Sequence, residues 1–214
     1  MMTDHNSMRK LLLLMAVMLA GCGGNVDSLP YFTVASNTPV WDSDSDIRSV
    51  ARFALTDQQG STITNEELRG APYVASFFFV SCTNICPTLR SRLTSVADSF
   101  HETEVKILSH SVTPQLDTVD KLAAYSAVNN IEPAQWKLLT GKREEILDLA
   151  RYSYGAELRN YSSPDAAGTE FLHTETVFLV DGEGRVRGIY NGTLQSEINL
   201  LKKDINTLLG RAVG

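Results

Sequence analysis

The chain has 214 residues, of which 43% are hydrophobic and 21% charged, and its formal net charge is −6. This length and composition suit one globular domain with a substantial core, or at most two small ones. The sequence has no dense cluster of lysine and arginine. We therefore expect no nucleic-acid partner.

The first residues have the pattern of an export signal. Arg9 and Lys10 precede a run of ten apolar residues, and small residues follow that run. A positive end, a short apolar core and a small-residue exit are typical of a signal peptide, and this core is too short to span a membrane. We therefore expect residues 1–21 to be removed.

The exit of this signal carries a second pattern. Leu19-Ala20-Gly21-Cys22 resembles the processing box of bacterial lipoproteins. The resemblance implies that Cys22 becomes the lipidated first residue of the mature chain. The alternative is ordinary cleavage just upstream, which would leave Cys22 as a free thiol.

Residues 22–47 are predicted to tether the lipid to the domain. The segment shows no helix or strand periodicity, is rich in small and polar residues, and contains the acidic run Asp42–Asp46. Tyr31 and Trp41 are exceptions, which indicate that part of the tether lies against the domain. We expect the folded domain to cover residues 48–214.

The rest of the chain alternates strand and helix patterns. The predicted elements are a hairpin (49–64), a buried strand (73–80), a helix ending at 100, a second buried strand (104–112), a helix (117–128), a short strand ending in a turn (136–141), a helix (143–152), a hairpin of two strands (176–180 and 185–190) and a closing helix (195–209). This order predicts an α/β fold: a central mixed sheet flanked by helices, with an N-terminal hairpin. No glycine-rich phosphate loop follows a strand, which argues against a doubly wound nucleotide-binding fold.

Two cysteines lie between the first buried strand and its helix. Cys82 and Cys86 follow the apolar strand, and Pro87 suits the first turn of a helix. Cys86 is thus predicted at or just before the helix N-terminus, where unpaired N–H groups and the helix dipole favour a thiolate. A dithiol in this place predicts a thioredoxin-like arrangement.

The spacing of the two cysteines limits their chemistry. A disulfide between residues four apart closes a very small loop and stabilises little, which favours a reactive pair over a structural bridge. In a helical segment their Cβ atoms would lie roughly 5–6 Å apart, close enough to share a metal ion. Two thiolates select Cu(I), Zn or an iron–sulfur cluster, but a cluster needs more cysteines and a closed zinc site needs four ligands.

Four histidines could supplement the dithiol. His5 leaves with the signal peptide, and His101 is expected at the far end of the dithiol helix in a solvated or capping role. His110 lies within a predicted strand, which favours a half-buried, hydrogen-bonded histidine. His173 is the preferred candidate, because it ends a long polar loop directly before a strand of the predicted sheet.

At this point several motifs together resemble the Sco/SenC family of exported, membrane-tethered copper proteins. They are the Phe77-Phe78-Phe79 strand leading to Cys82-x-x-x-Cys86-Pro87, Ser111-Val112-Thr113-Pro114 with Asp117-Thr118, Trp136-Lys137-Leu138-Leu139-Thr140-Gly141, and His173 before Val177-Phe178-Leu179-Val180-Asp181-x-x-Gly184.

The resemblance implies a thioredoxin-like fold and a Cu(I)/Cu(II) site formed by Cys82, Cys86 and His173. Glu175 or Asp165 would be candidates to orient the imidazole. Many members of the family carry Pro-Asp after the first cysteine, whereas this chain has Thr83-Asn84. This departure leaves the three implied copper ligands in place. The loss of the aspartate could instead change partner docking or the redox potential of the dithiol.

The family also implies a partner and a location. Its members help to assemble the dinuclear copper centre of cytochrome c oxidase, as copper donor, as reductant of that centre's cysteines, or both. The implied partners are the oxidase copper subunit, periplasmic copper donors or thiol reductants, and the membrane that holds the lipid anchor. The domain would face the periplasm or the cell exterior.

Two other functions fit part of the pattern. A copper-independent thiol–disulfide oxidoreductase explains the fold and both cysteines but leaves His173 without a role. Its usual spacing is C-x-x-C, one residue shorter than the spacing between Cys82 and Cys86. A peroxidase-like relative of thioredoxin is a third, weaker reading.

Overall fold

The computed structural model describes residues 29–41, 46–156 and 175–211. Nine strands lie in these ranges: β1 Tyr31–Thr33, β2 Ser36–Val40, β3 Ala54–Thr56, β4 Thr62–Thr64, β5 Tyr73–Phe78, β6 Lys106–Ser111, β7 Trp136–Leu139, β8 Thr176–Val180 and β9 Val186–Asn191. The helices are α1 Cys86–Ser99, α2 Val119–Val128, α3 Arg143–Asp148, a π-helix Leu149–Tyr154 and α4 Gln195–Leu208. In these ranges no helix is both long and apolar enough to cross a membrane.

The central sheet is mixed, as predicted. Its five strands lie in the order β7-β6-β5-β8-β9. Strands β5, β6 and β7 run parallel, whereas β8 is antiparallel to both β5 and β9. All six residues of the central strand β5 are buried, because both faces of the sheet are covered. Strands of this kind have continuous apolar sequences. The predicted N-terminal hairpin is also present, as β3 paired with β4.

Two apolar layers sandwich this sheet. One face packs against α1 and α4 through residues that include Val74, Phe78, Leu89, Leu93, Val96, Ile198, Leu201 and Ile205. The other face packs against the π-helix and the hairpins through residues that include Phe32, Leu55, Tyr73, Phe77, Leu149, Tyr154 and Phe178. Alternation along β5 sends neighbouring side chains into opposite layers. The buried residues of the dithiol helix α1 lie in the first of these layers.

The structure corrects the prediction for part of the tether. Residues 31–40 form the antiparallel hairpin β1–β2 instead of an irregular segment. Tyr31 lies against the domain as expected, with the guanidinium carbon of Arg187 4.1 Å from its ring centroid. Trp41, by contrast, is 70% exposed. No periodicity is visible in this segment because a three-residue and a five-residue strand are too short to show one.

One buried arginine holds the start of this hairpin. Arg187, 8% exposed, donates from Nε to the Pro30 carbonyl at 3.0 Å and from Nη2 to the Leu29 carbonyl at 2.5 Å. Its Nη1 donates to Asp181 Oδ2 at 3.0 Å. All three guanidinium nitrogens therefore have an acceptor, and the chain is fixed where it enters the domain. We call this arrangement the Arg187 clamp.

Helix α2 shows a further correction. Apolar periodicity predicts five inward-facing residues here, Leu116, Val119, Leu122, Ala123 and Ala127, but Leu116, Ala123 and Ala127 are exposed. The buried residues of the helix are Leu122 and Ser126. Ser126 can lie on the inner face because its hydroxyl donates to the Ile131 carbonyl at 2.8 Å. Apolar periodicity does not reveal this polar contact.

His110 is more deeply buried than predicted. Its side chain is fully buried. The centroid of its ring lies 5.1 Å from that of Phe77, in a stacked arrangement, and 5.6 Å from that of Tyr154. Its Nδ1 lies 3.2 Å from the Ser76 carbonyl. Burial lowers the pKa of His110 to about 4, although the contact with Ser76 acts in the opposite direction. This histidine belongs to the core layer on the face away from α1.

The buried imidazole should make stability depend on pH. The pKa of His110 falls from 6.5 to about 4 on folding, so its stabilising contribution is complete above pH 6.5 and is lost as the pH falls toward 4. The loss should approach about 3 kcal/mol. Denaturant unfolding from pH 7 to pH 4 should show a weaker pH dependence in His110→Phe than in the wild type. The exposed-histidine variant His101→Ala should follow the wild type, and identical profiles for His110→Phe and wild type would contradict the assignment.

Candidate metal centre

The dithiol lies where β5 gives way to α1. The N–H of Cys82 donates to the Phe79 carbonyl at 3.2 Å, which turns the chain after the strand. Helix α1 then begins at Cys86, with proline in its first turn as predicted. Both cysteines are free thiols: Cys82 is half-buried and Cys86 is 6% exposed.

The protonation of Cys86 differs from the sequence-based expectation. Burial raises the pKa of Cys86 to about 12, and the neighbouring Cys82 thiol and the charge of Asp117 act in the same direction. A hydrogen bond with the Phe79 backbone only partly offsets these effects. This direction opposes the prediction that the helix N-terminus favours a thiolate at Cys86, because burial disfavours the charged form of the thiol.

Asp117 fastens the dithiol loop to the end of β6. Its Oδ2 accepts from Ser111 Oγ at 2.6 Å, from Thr113 Oγ1 at 3.0 Å and from the Val80 N–H at 3.1 Å. The residue is 3% exposed. One carboxylate oxygen thus joins the loop before Cys82 to the segment that leads into α2.

Protein atoms close the inner side of the dithiol. A cavity of about 20 Å³, lined in part by Cys86, Phe78, Arg90 and Tyr125, lies beside it and has room for about one water molecule. The Arg90 guanidinium carbon lies 5.9 Å from the centroid of the Tyr125 ring.

The described ranges supply two of the three predicted ligands. Within residues 29–41, 46–156 and 175–211, no group of three His, Cys, Asp or Glu side chains is placed to hold a metal ion. His173, Asp165 and Cys22 lie outside the described residues. A third protein ligand for a metal held by the dithiol would therefore come from outside these ranges.

Glu175 lies beside the first turn of α1. The Gly192 N–H donates to the Glu175 carbonyl at 2.7 Å, and Asn191 Nδ2 donates to Glu175 Oε1 at 3.2 Å. A Cβ added at Gly192 would lie 2.4 Å from Leu89 Cδ1 and 2.9 Å from the Glu175 carbonyl oxygen. Glu175, two residues after His173, is therefore close to the helix that begins at Cys86.

This tight contact predicts a cost for any side chain at position 192. Gly192→Ala should lower the free energy of unfolding by roughly 1–3 kcal/mol, because the methyl group overlaps Leu89 and the backbone at Glu175. Equilibrium denaturation with urea measures the change. Gly60→Ala is the matched control, since no atom lies within 4 Å of its added Cβ and only its positive φ of 81° opposes the change. A Gly192→Ala protein as stable as the wild type would contradict the packing.

The predictions for the histidines agree with the structure for His101 but underestimate the burial of His110. His101 is confirmed as a solvated residue at the far end of α1, with Nδ1 2.8 Å from the Asp98 carbonyl. Sequence reasoning missed the anchoring role of Asp117 and the wall formed by Arg90 and Tyr125. A signal for Asp117 was present, since Ser111 and Thr113 place two hydroxyl donors just ahead of a single acid.

The fold and the dithiol define a thioredoxin-like protein with a cysteine pair at the junction of a central strand and a helix. The SCO1/SenC family model matches residues 42–209, and the chain belongs to this family. The SCO1 protein homolog of Bacillus subtilis (strain 168) is 27% identical over 161 residues, which are 74% of this chain and 81% of the relative.

Solved structures agree with this assignment. The chain resembles BsSco, described as a member of the Sco family of cytochrome c oxidase assembly proteins with a disulfide switch, at 27% identity and a TM-score of 0.65. The match covers 75% of this chain and 93% of BsSco. Arabidopsis thaliana ScoI, solved with copper bound, is 26% identical with a TM-score of 0.59, and the match covers 73% of this chain and 97% of ScoI.

Proposed function

We propose that this protein is an exported, lipid-anchored copper carrier. Its copper ion is held by Cys82, Cys86 and His173, and it is delivered to the dinuclear copper centre of cytochrome c oxidase. In addition to this delivery, or in its place, the reduced dithiol reduces the cysteines of that centre and is itself oxidised to a disulfide. Cys22 carries the lipid, and the domain works on the outer face of the membrane.

The observation that carries the proposal is the pair of free, adjacent thiols at the strand–helix junction. Two thiolates form a soft donor set that suits Cu(I), and an imidazole adds a ligand that suits both copper oxidation states. Membership of the SCO1/SenC family and the copper-bound Arabidopsis relative support copper over zinc. Both thiols lose their protons when they bind a metal, so copper loading requires a reduced pair and releases protons.

The different exposure of the two sulfurs supports a direction for exchange. Cys86 is 6% exposed, whereas Cys82 is half-buried and the next residues along the loop, Thr83 and Asn84, are exposed. An incoming thiol from an acceptor can therefore approach Cys82 first. Cys86 remains the inner ligand until the ion leaves.

A second candidate is a thiol–disulfide oxidoreductase that works without copper. The relative BsSco is described by its disulfide switch, and the free dithiol of this chain suits the same chemistry. Turnover of insulin disulfides by metal-free protein would favour this candidate. Copper binding that depends on all three proposed ligands would favour the carrier.

Deletion of the gene tests the proposed function in cells. We expect loss of cytochrome c oxidase activity and its recovery on addition of copper, as for a missing copper carrier. A plasmid copy with Cys22→Ser tests the anchor, and a copy with both Cys82→Ser and Cys86→Ser should not restore activity. Full oxidase activity in the deletion strain at low copper would contradict the proposal, and recovery by thiol reductants alone would support the oxidoreductase.

A further inference from the structure

Asp117 combines three features that its anchoring role alone does not require. It is 3% exposed, one of its oxygens accepts three hydrogen bonds, and one of these comes from the Val80 N–H, two residues before Cys82. Donors from Ser111, Thr113 and the Val80 backbone all point at that oxygen, so three hydrogen bonds depend on one atom of this side chain.

Asp117 takes part in none of the ion pairs seen between described residues. The ion pairs between described residues use Asp57, Glu66, Glu102, Asp181 and Glu183, and none includes Asp117. Buried carboxylates are usually paired or bound to a cation. A negative charge beside a metal site changes the relative stability of metal ions that differ in charge.

We propose that Asp117 is a positioning residue for the dithiol loop and that its fixed charge shifts the relative affinity of the site from Cu(I) toward Cu(II). The inference rests on the proposed function, in which Cys82 and Cys86 bind copper. With both thiols protonated the pair is neutral. When two protons are replaced by Cu(I) the site gains a net charge of −1, whereas replacement by Cu(II) leaves it neutral. A neighbouring carboxylate therefore opposes the first state and not the second.

Two substitutions separate position from charge. Asp117→Asn keeps an oxygen that can accept the three hydrogen bonds and removes the charge, whereas Asp117→Ala removes both. Asp120→Asn is the matched control, because it makes the same change of charge three residues further on, at an exposed position of α2. The full-length chain is used throughout, with Cu(I) affinity measured against a chromogenic chelator and Cu(II) affinity by optical titration.

We expect Asp117→Asn to raise the ratio of Cu(I) to Cu(II) affinity by roughly tenfold or more, because it removes the unit charge that opposes the anionic Cu(I) state. Asp120→Asn should change the ratio less than twofold, because an exposed charge is screened. If Asp117→Asn changes the ratio no more than Asp120→Asn does, the charge effect is wrong.

The positioning role has a readout that needs no copper. Alkylation of Cys82 in the metal-free protein should be several times faster in Asp117→Ala than in Asp117→Asn, because only alanine releases the Val80 N–H. Equal alkylation rates in the two variants would overturn the positioning role. A wild-type chain that binds no copper would refute the proposed function instead, and the alkylation result would still stand on its own.

Discussion

Cys86→Ser is expected to lower the affinity for Cu(I) by several hundredfold while the protein stays folded. A four-ligand metal site is worth about 10–16 kcal/mol, or roughly 3–4 kcal/mol for each ligand, which corresponds to a factor of this order. The effect should be large here because serine replaces a soft thiolate by a hard oxygen. Competition with a chromogenic Cu(I) chelator at pH 7 measures it.

Two companion variants make this result specific. Ser81→Ala changes an exposed residue of the same loop and should leave the affinity within about twofold of the wild type, as is usual for surface substitutions. Cys82→Ser should lose as much affinity as Cys86→Ser, because both sulfurs are proposed ligands. If Cys86→Ser bound Cu(I) as tightly as Ser81→Ala, Cys86 would not be a copper ligand.

Arg187→Ala is expected to lower the free energy of unfolding by about 3 kcal/mol. The substitution leaves the Leu29 and Pro30 carbonyls without their donor and removes a buried partner of Asp181. Removing one member of a buried ion pair typically costs this much, because the other charge remains desolvated. Urea denaturation gives the value, and limited proteolysis should cut the released hairpin β1–β2 within residues 29–41.

Arg185→Ala is the control for the Arg187 clamp. Arg185 also donates to Asp181 Oδ2, at 2.9 Å, but its side chain is 28% exposed and it holds neither of the two carbonyls. Its loss should cost about 1 kcal/mol or less and should leave the hairpin resistant to protease. Equal effects of the two substitutions would show that the clamp contributes nothing beyond its contact with Asp181.

Much of the fold was readable from the sequence because its strong patterns are long. The apolar run of β5 and the 14-residue helices α1 and α4 satisfy local rules over many residues. The dithiol could be placed for the same reason, since Cys86 and Pro87 fit only the start of a helix that follows a buried strand.

Other features depend on partners distant in sequence. Hairpin β1–β2 is held by Arg187, more than 150 residues away, and so its two short strands gave no local signal.

The π-helix was predicted as the end of an ordinary helix that stops at Tyr152. In the structure it runs to Tyr154 and ends at Gly155, where φ is 71°. The pKa of Cys86 depends on burial, which the helix-dipole argument did not weigh.

The measurement that tests the central claim most directly is copper binding by His173→Ala. His101→Ala serves as the control, because His101 lies exposed at the opposite end of α1. If His173 completes the site, its loss should weaken Cu(II) binding on the order of a hundredfold and change the Cu(II) electron paramagnetic resonance spectrum, with both thiols still titratable and the fold intact. A His173→Ala protein with the affinity and spectrum of His101→Ala would contradict a copper site built from two sulfurs and this imidazole.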